Sequence, residues 1–261
     1  MKLKINELTV FTEGDKTKQA IIFVHGFPYD HTMWNNQINY FKNDYYCIAY
    51  DVRGLGNSAV GDGQYTMEQY VDDLFEIINV MELSNPVLCG LSMGGYISFR
   101  AMEREQRIFK SVIFCDTKSQ ADSDEIKLVR ANKIKQINTE GLAAFTNEFV
   151  AACFGKAFQS NSPDIFNKIK TRSTTYNPIG VKGALIAMLS RTDSTKFLPE
   201  LKIPALLLAG KHDEMTPPTL MKELANIIPN SKFETVPNSG HMSPIENPGF
   251  VNKKIKEFLN D

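Results

Sequence analysis

The sequence predicts an α/β fold: a mostly parallel, twisted sheet flanked by helices, with a helical insertion. Three observations carry that expectation. Continuous apolar runs at 20–24, 45–50, 111–115 and 205–209 have the length and composition of strands covered on both faces. Helix-like segments separate them, the pattern that yields parallel strands joined by crossovers. From 117 to 197 the strand signal disappears and only amphipathic helical segments remain, over a stretch too long for a plain loop. The chain thus divides into a core of residues 1–116 and 198–261 and an inserted helical module at 117–197.

Residues 3–11 alternate apolar and polar side chains and read as one or two edge strands, broken at Glu13-Gly14-Asp15. The strand at 20–24 ends in the loop His25-Gly26-Phe27-Pro28, and a helix is expected over 32–41. The strand at 45–50 runs into Asp51-Val52-Arg53-Gly54-Leu55-Gly56-Asn57-Ser58, a glycine-rich turn with neither a Lys-Ser/Thr pair nor a third glycine, hence not a phosphate loop. Thr66-Met67-Glu68-Gln69 is a capping box that opens a helix to about Glu82, with Val71, Leu74, Phe75, Ile78 and Met81 as its apolar stripe. In the insertion, helices are expected over 124–137, 141–158 (broken near Gly155), 163–174 and 178–189. Strand signals resume at 203–210 and 232–236, with a helix between them at 218–228. A last helix, with Asn247 as its N-cap and Pro248 as its first residue, runs to Leu259.

Composition narrows the function classes. The chain has 29 Lys and Arg against 30 Asp and Glu, a net charge of −1, which offers no electrostatic attraction to nucleic acid or an anionic membrane. No apolar run reaches membrane-spanning length, and the N-terminus lacks the apolar core of a signal peptide, so a cytoplasmic location is expected. Cys47, Cys89, Cys115 and Cys153 show neither paired metal-ligand spacing nor a secreted framework, and read as buried reduced thiols.

The chemistry centres on Gly90-Leu91-Ser92-Met93-Gly94, which matches G-x-S-x-G between an apolar strand and a helix. A serine at such a turn adopts a strained backbone, and glycines two positions either side remove the side chains that would collide. The hydroxyl needs a base, and the base a carboxylate to orient it. Ligands of parallel sheets bind outside the carboxyl ends of the strands, a rule that brings His25, Phe27, Ser92, Asp116, Asp213 and His241 to one edge. Of the four histidines, His241 follows the last strand in a flexible loop and is the expected base. His25 reads as an organiser of its own loop, and His31 as a surface residue. Asp213 is the expected acid, and Asp116, which also ends a strand, is its rival. Glu214 and Asp51 read as solvent-facing or structural. The oxyanion formed on attack needs backbone donors, expected from the N–H groups of Met93 and Phe27.

Taken together, the His25-Gly26-Phe27-Pro28 loop, the Asp51–Ser58 turn, the Ser92 elbow, Gly210-Lys211-His212-Asp213 and Ser239-Gly240-His241 resemble the serine α/β-hydrolase superfamily over nearly the whole chain. Within it, the segments around Asp116 and from His241 to Pro248 are similar to small carboxylesterases and 3-oxoadipate enol-lactonases. Haloalkane dehalogenases carry aspartate in place of Ser92 and are disfavoured. The resemblance implies the α/β-hydrolase fold with a helical cap at 117–197, no cofactor and no metal, and a small ester or lactone as substrate. The same triad would also serve a cofactor-free perhydrolase (haloperoxidase), a C–C bond hydrolase or a hydrolase-fold receptor for a small ligand. Phe145, Phe149 and Met188 of the cap, with Trp34 and Met93, are candidates for the pocket wall, and Phe154 and Phe158 are further cap aromatics of the same kind. Arg130, Arg172 and Arg191 are candidates to meet an anionic lactone. Both monomer and homodimer are compatible with the sequence.

Overall fold

The computed structural model describes residues 1–260. In chain order the elements are β1 (Lys2–Ile5), β2 (Leu8–Glu13), β3 (Ala20–Val24), a 3-10 turn (His31–Trp34), α1 (Asn35–Phe41), β4 (Tyr46–Asp51), α2 (Met67–Val80), β5 (Val87–Leu91), α3 (Met93–Glu105) and β6 (Ser111–Cys115). There follow α4 (Asp124–Glu140), α5 (Leu142–Cys153), α6 (Lys156–Asn161), α7 (Pro163–Ser173) and α8 (Pro178–Leu189). The chain closes with β7 (Ala205–Gly210), α9 (Pro218–Ile227), β8 (Ser231–Val236), α10 (Ser243–Glu246) and α11 (Pro248–Asn260).

The strands form one sheet in the order β1-β2-β4-β3-β5-β6-β7-β8. From β4 to β8 every pairing is parallel, with Ile22 beside both Ile48 and Leu88, Leu88 beside Val112, and Val112 beside Ala205. Successive strand residues point to opposite faces. Ile22, Val24, Leu88, Val112 and Leu207 enter one apolar layer with Leu74 of α2 and Ile97 of α3. Ile21, Phe23, Cys89, Ile113 and Leu206 enter the other with Ile38 of α1 and Ile255 of α11. Burial on both faces explains why these strands are continuous apolar runs instead of alternating ones.

Several local expectations change in detail. The first edge segment is a hairpin that turns at Asn6 and Glu7, both at positive φ (42° and 67°), well before the Glu13-Gly14-Asp15 break. This geometry suits a tight two-residue turn, and the segment has no glycine to announce it. The helix expected over 32–41 begins as the 3-10 turn, capped by Asp30, whose carboxylate accepts from Thr32 N–H. Thr66 caps α2 as expected, accepting from Gln69 N–H at 3.1 Å. His31 is not on the open surface: its ring stacks on Phe11 with centroids 3.4 Å apart and bonds Asp51 at 2.7 Å.

The chain order decides where the site lies. β4 falls on one side of β3 and β5 on the other, so the connections diverge between β3 and β5 and open a crevice outside their carboxyl ends. The loop after β3 and the residue after β5 face each other across it. Among the described residues, no helix is long and apolar enough to cross a membrane.

Candidate active site

Ser92 occupies the single position between β5 and α3, with φ 52° and ψ −111°. Such a conformation costs a non-glycine residue about 1–3 kcal/mol and persists only where the surroundings enforce it. Here they do. Ser92 N–H donates to the Cys115 carbonyl at 3.0 Å, and the Thr117 hydroxyl donates to the Ser92 carbonyl at 2.8 Å. Close packing accounts for the glycines: a Cβ at Gly90 would lie 2.4 Å from the Gly94 carbonyl oxygen, and one at Gly94 would lie 2.1 Å from that of Val24.

His241, after β8, points its two nitrogens in opposite directions. Nδ1 lies 2.8 Å from Asp213 Oδ2, and Nε2 lies 2.8 Å from Ser92 Oγ. An ionised carboxylate only accepts, so Nδ1 carries the proton and Nε2 is left to accept from the serine hydroxyl. Asp213 is itself fixed: Oδ1 accepts from Met215 N–H at 2.8 Å and Thr216 N–H at 3.0 Å, and Oδ2 accepts from the Thr216 hydroxyl at 2.6 Å. Burial alone would raise the Asp213 pKa, but the His241 charge and hydrogen bond and the Thr216 donors outweigh it and hold the pKa below the ordinary carboxylate value. For His241 burial pulls the pKa down, the Asp213 charge and hydrogen bond pull harder the other way, and the net shift is upward.

Asp116, the rival acid, is buried at the end of β6 but makes other bonds. Oδ1 accepts from Gly210 N–H at 2.7 Å, and Oδ2 from Ser243 N–H at 3.2 Å and the Ser243 hydroxyl at 2.5 Å. Burial and then the neighbouring Asp213 charge push its pKa well above the ordinary value. It ties β6 to β7 and to the segment after His241.

The loop after β3 lies directly beside the serine: a Cβ at Gly26 would sit 3.4 Å from Ser92 Cβ. His25 organises this loop, its Nδ1 bonding the Gly26 carbonyl and its Nε2 accepting from Val52 N–H, both at 2.8 Å. Neither Phe27 nor Met93 spends its N–H on an acceptor among the described residues. Phe145 and Phe149 of α5 pack against the Phe27 ring, with centroids 6.1 and 5.4 Å away. Met188 joins the same apolar layer. Trp34 does not: it is fully buried in the opposite layer, 5.2 Å from Phe23, because its position in the 3-10 turn points it beneath the sheet. Phe154 and Phe158 are in that layer too, stacked on each other at 5.2 Å. Arg172 pairs with Asp30, whereas Arg130 and Arg191 share the single carboxylate of Asp122, which Lys118 also approaches.

Two contributors had no place in the sequence reading. Thr216 buttresses the Asp213–His241 bond, and the Asp213-Glu214-Met215-Thr216 spacing is that of an Asx turn, which could have signalled it. Glu246 joins the insertion to the histidine loop, accepting from Gly155 N–H at 2.9 Å and Met242 N–H at 3.1 Å, and no local pattern announces it. Asp30, His31 and Asp51 bring ligand-type atoms within 4.8 Å of one another. Their carboxylates are already occupied by Thr32, Arg172 and Tyr176 on one side and by His31 and Asn57 on the other.

A Ser-His-Asp chain with its base and acid buried and its serine partly exposed, on the carboxyl ends of a parallel sheet, is an arrangement for nucleophilic chemistry. Residues 19–248 match the model of the α/β hydrolase fold family, and the chain belongs to that family. Among similar proteins, 3-oxoadipate enol-lactonase 2 of Acinetobacter baylyi is 27% identical, with 97% of this chain and 92% of that protein covered. A non-heme chloroperoxidase of Burkholderia pyrrocinia is also 27% identical, with 94% and 93% covered. The structure of a thermophilic esterase from Thermogutta terrifontis superimposes with a TM-score of 0.94 at 33% identity, covering 100% of this chain and 98% of the other.

Proposed function

We propose that the protein is a serine hydrolase that cleaves a small carboxylic ester or lactone through an acyl-enzyme intermediate. The observation that carries this reading is the continuous chain from Ser92 Oγ through His241 to Asp213, two bonds of 2.8 Å each, with the serine in its strained turn. His241 Nε2 takes the Ser92 proton as Oγ attacks the carbonyl carbon. The oxyanion is held by the N–H groups of Phe27 and Met93, and Asp213 stabilises the imidazolium. His241 then returns the proton to the leaving alkoxide as the ester C–O bond breaks. Water, deprotonated by His241, attacks the acyl-serine, and the acid and Ser92 are released. The reaction draws on no group beyond these side chains and peptide N–H groups.

Within this reading residues 117–197 form a cap over a core of residues 1–116 and 198–261, and Phe149 faces the acyl side with the buried Phe145 and Met188 packed behind it. The enol-lactonase and esterase relatives support ester or lactone chemistry. Arg172 is paired to Asp30, but Arg130, Arg191 and Lys118 share one carboxylate, so the charges alone select neither a neutral nor an anionic substrate. The chloroperoxidase relative supports a second use of the same acyl-enzyme, in which hydrogen peroxide replaces water and a peracid leaves. A panel of short p-nitrophenyl esters, uncharged lactones, 3-oxoadipate enol-lactone, and acetate with hydrogen peroxide tests the assignment. Many turnovers of a short ester or lactone are expected. Turnover confined to peroxide, or no turnover on the whole panel, overturns it.

A further inference from the structure

A cavity of about 280 Å³ lies between the 3-10 turn after β3 and the insertion helix α7, and the serine, histidine and aspartate of the candidate site do not line it. Its volume is near the lower end of the range for small-molecule sites, about 300–1,000 Å³. Its walls are mixed, with Thr32, Asn35, Asn36 and Ser173 among the polar residues. Tyr29, Met33, Ile169 and Ile245 supply apolar surface, and Lys168 and Arg172 supply cations. Asp30 is the one carboxylate in the lining, and it is saturated by Thr32, Arg172 and Tyr176. Lys168 has no acidic partner among the described residues, so the lining carries one uncompensated positive charge.

An apolar wall beside one unpaired ammonium group at an open mouth is complementary to an amphipathic anion. We propose that this cavity is a second binding site, separate from the serine, for a small organic monocarboxylate with an apolar body. The carboxylate meets Lys168 and the hydrocarbon lies on Met33, Ile169 and Ile245. The site also adjoins the catalytic loop. Gly26 N–H donates to Met33 Sδ at 3.3 Å, and Tyr29 N–H donates to the Gly26 carbonyl at 3.0 Å. An occupant therefore touches two residues bonded to the peptide groups of Gly26, which itself lies against Ser92. Binding requires no turnover, so the proposal is independent of the serine chemistry above.

The test is calorimetric titration of octanoate into the Ser92→Ala protein, with 1-octanol as the uncharged comparison. Octanoate is expected to bind at one site per chain and more tightly than octanol. Lys168→Glu, a substitution at the exposed mouth, should weaken octanoate by about fivefold or more and leave octanol unchanged. Ile169→Trp, which fills the cavity, should weaken both. A third titration uses the Ser92 protein after phosphonate treatment, with the extent of labelling read separately by intact mass. If octanoate binding is insensitive to both substitutions, or disappears once Ser92 is labelled, the carboxylate is entering the catalytic pocket and the second site is contradicted. Failure of the phosphonate to label Ser92 would count against the serine mechanism alone, since the Ser92→Ala titrations do not depend on it.

Discussion

Asp116 and Asp213 follow the neighbouring strands β6 and β7 into the same site, yet only Asp213 bonds His241. Asp116 instead accepts from Gly210 and Ser243. Their pKa values are driven apart, Asp213 downward by His241 and Thr216 against its burial, Asp116 well upward by burial and by the Asp213 charge. Asp213 is thereby held in the ionised form that stabilises an imidazolium, and Asp116 is spent on backbone and hydroxyl donors instead.

That separation predicts opposite results for the same substitution. Asp213→Asn should lower kcat on a short p-nitrophenyl ester on the order of 10³-fold or more, because the amide no longer fixes the histidine tautomer or its charge. Asp116→Asn leaves the His241–Asp213 bond untouched and should keep activity within about tenfold. It leaves one of the Ser243 or Gly210 donors poorly matched, at a stability cost of about 1–2 kcal/mol. Steady-state kinetics with urea denaturation of both variants checks the pair.

The raised pKa of His241 sets the pH dependence. The imidazole must be neutral to accept the Ser92 proton, so kcat/KM should fall as pH drops through a value above the ordinary 6.5. In Asp213→Asn, burial is left without the opposing carboxylate and the residual limb should move to lower pH. For stability the sign is the reverse: the His241–Asp213 attraction is fully present below the unfolded histidine pKa and is lost as pH rises through the folded one. A pH–rate profile of both proteins measures the limb, and a limb below pH 6 in the unsubstituted protein contradicts the assignment.

Glu246 predicts a coupling between the insertion and the histidine. Its two oxygens hold Gly155 N–H and Met242 N–H, and His241 N–H donates to the Cys153 carbonyl at 3.0 Å. Glu246→Ala should cost about 2–4 kcal/mol by leaving two N–H groups without acceptors, and should lower kcat at least tenfold by loosening the histidine loop. Denaturation and single-substrate kinetics test both parts.

The elbow predicts intolerance at Gly94. An alanine Cβ 2.1 Å from the Val24 carbonyl oxygen forces β3 and α3 apart. Gly94→Ala should destabilise the protein by about 1–3 kcal/mol and reduce activity about a hundredfold or more, since Ser92 and the Phe27 loop would separate. Thermal unfolding with the same ester assay gives the result.

Local chemistry made much of this readable before the structure. The Thr66 cap and the 178–189 helix each follow from residues within a few positions, and α8 spans Pro178–Leu189. The Ser92 turn follows from its two glycines, and the convergence of Ser92, Asp213 and His241 from a topological rule about strand ends. What was not readable depends on approaches between distant segments. Glu246 meets Gly155 across 91 positions, and Arg172 reaches Asp30 across 142. Trp34, a candidate for the pocket wall, is directed by the 3-10 turn to the other face of the sheet. Helix ends also drifted where the stop signal was ambiguous: α4 continues past Ile137 to Glu140, and Gly141 at φ 88° ends it.

The role of Ser92 as nucleophile is the claim on which the functional reading rests, and intact mass spectrometry after treatment with a fluorophosphonate tests it most directly. A single adduct per chain is predicted, mapped to Ser92 by peptide digestion, with both the adduct and p-nitrophenyl acetate turnover lost in Ser92→Ala. An adduct on another residue, or undiminished turnover by Ser92→Ala, would contradict it.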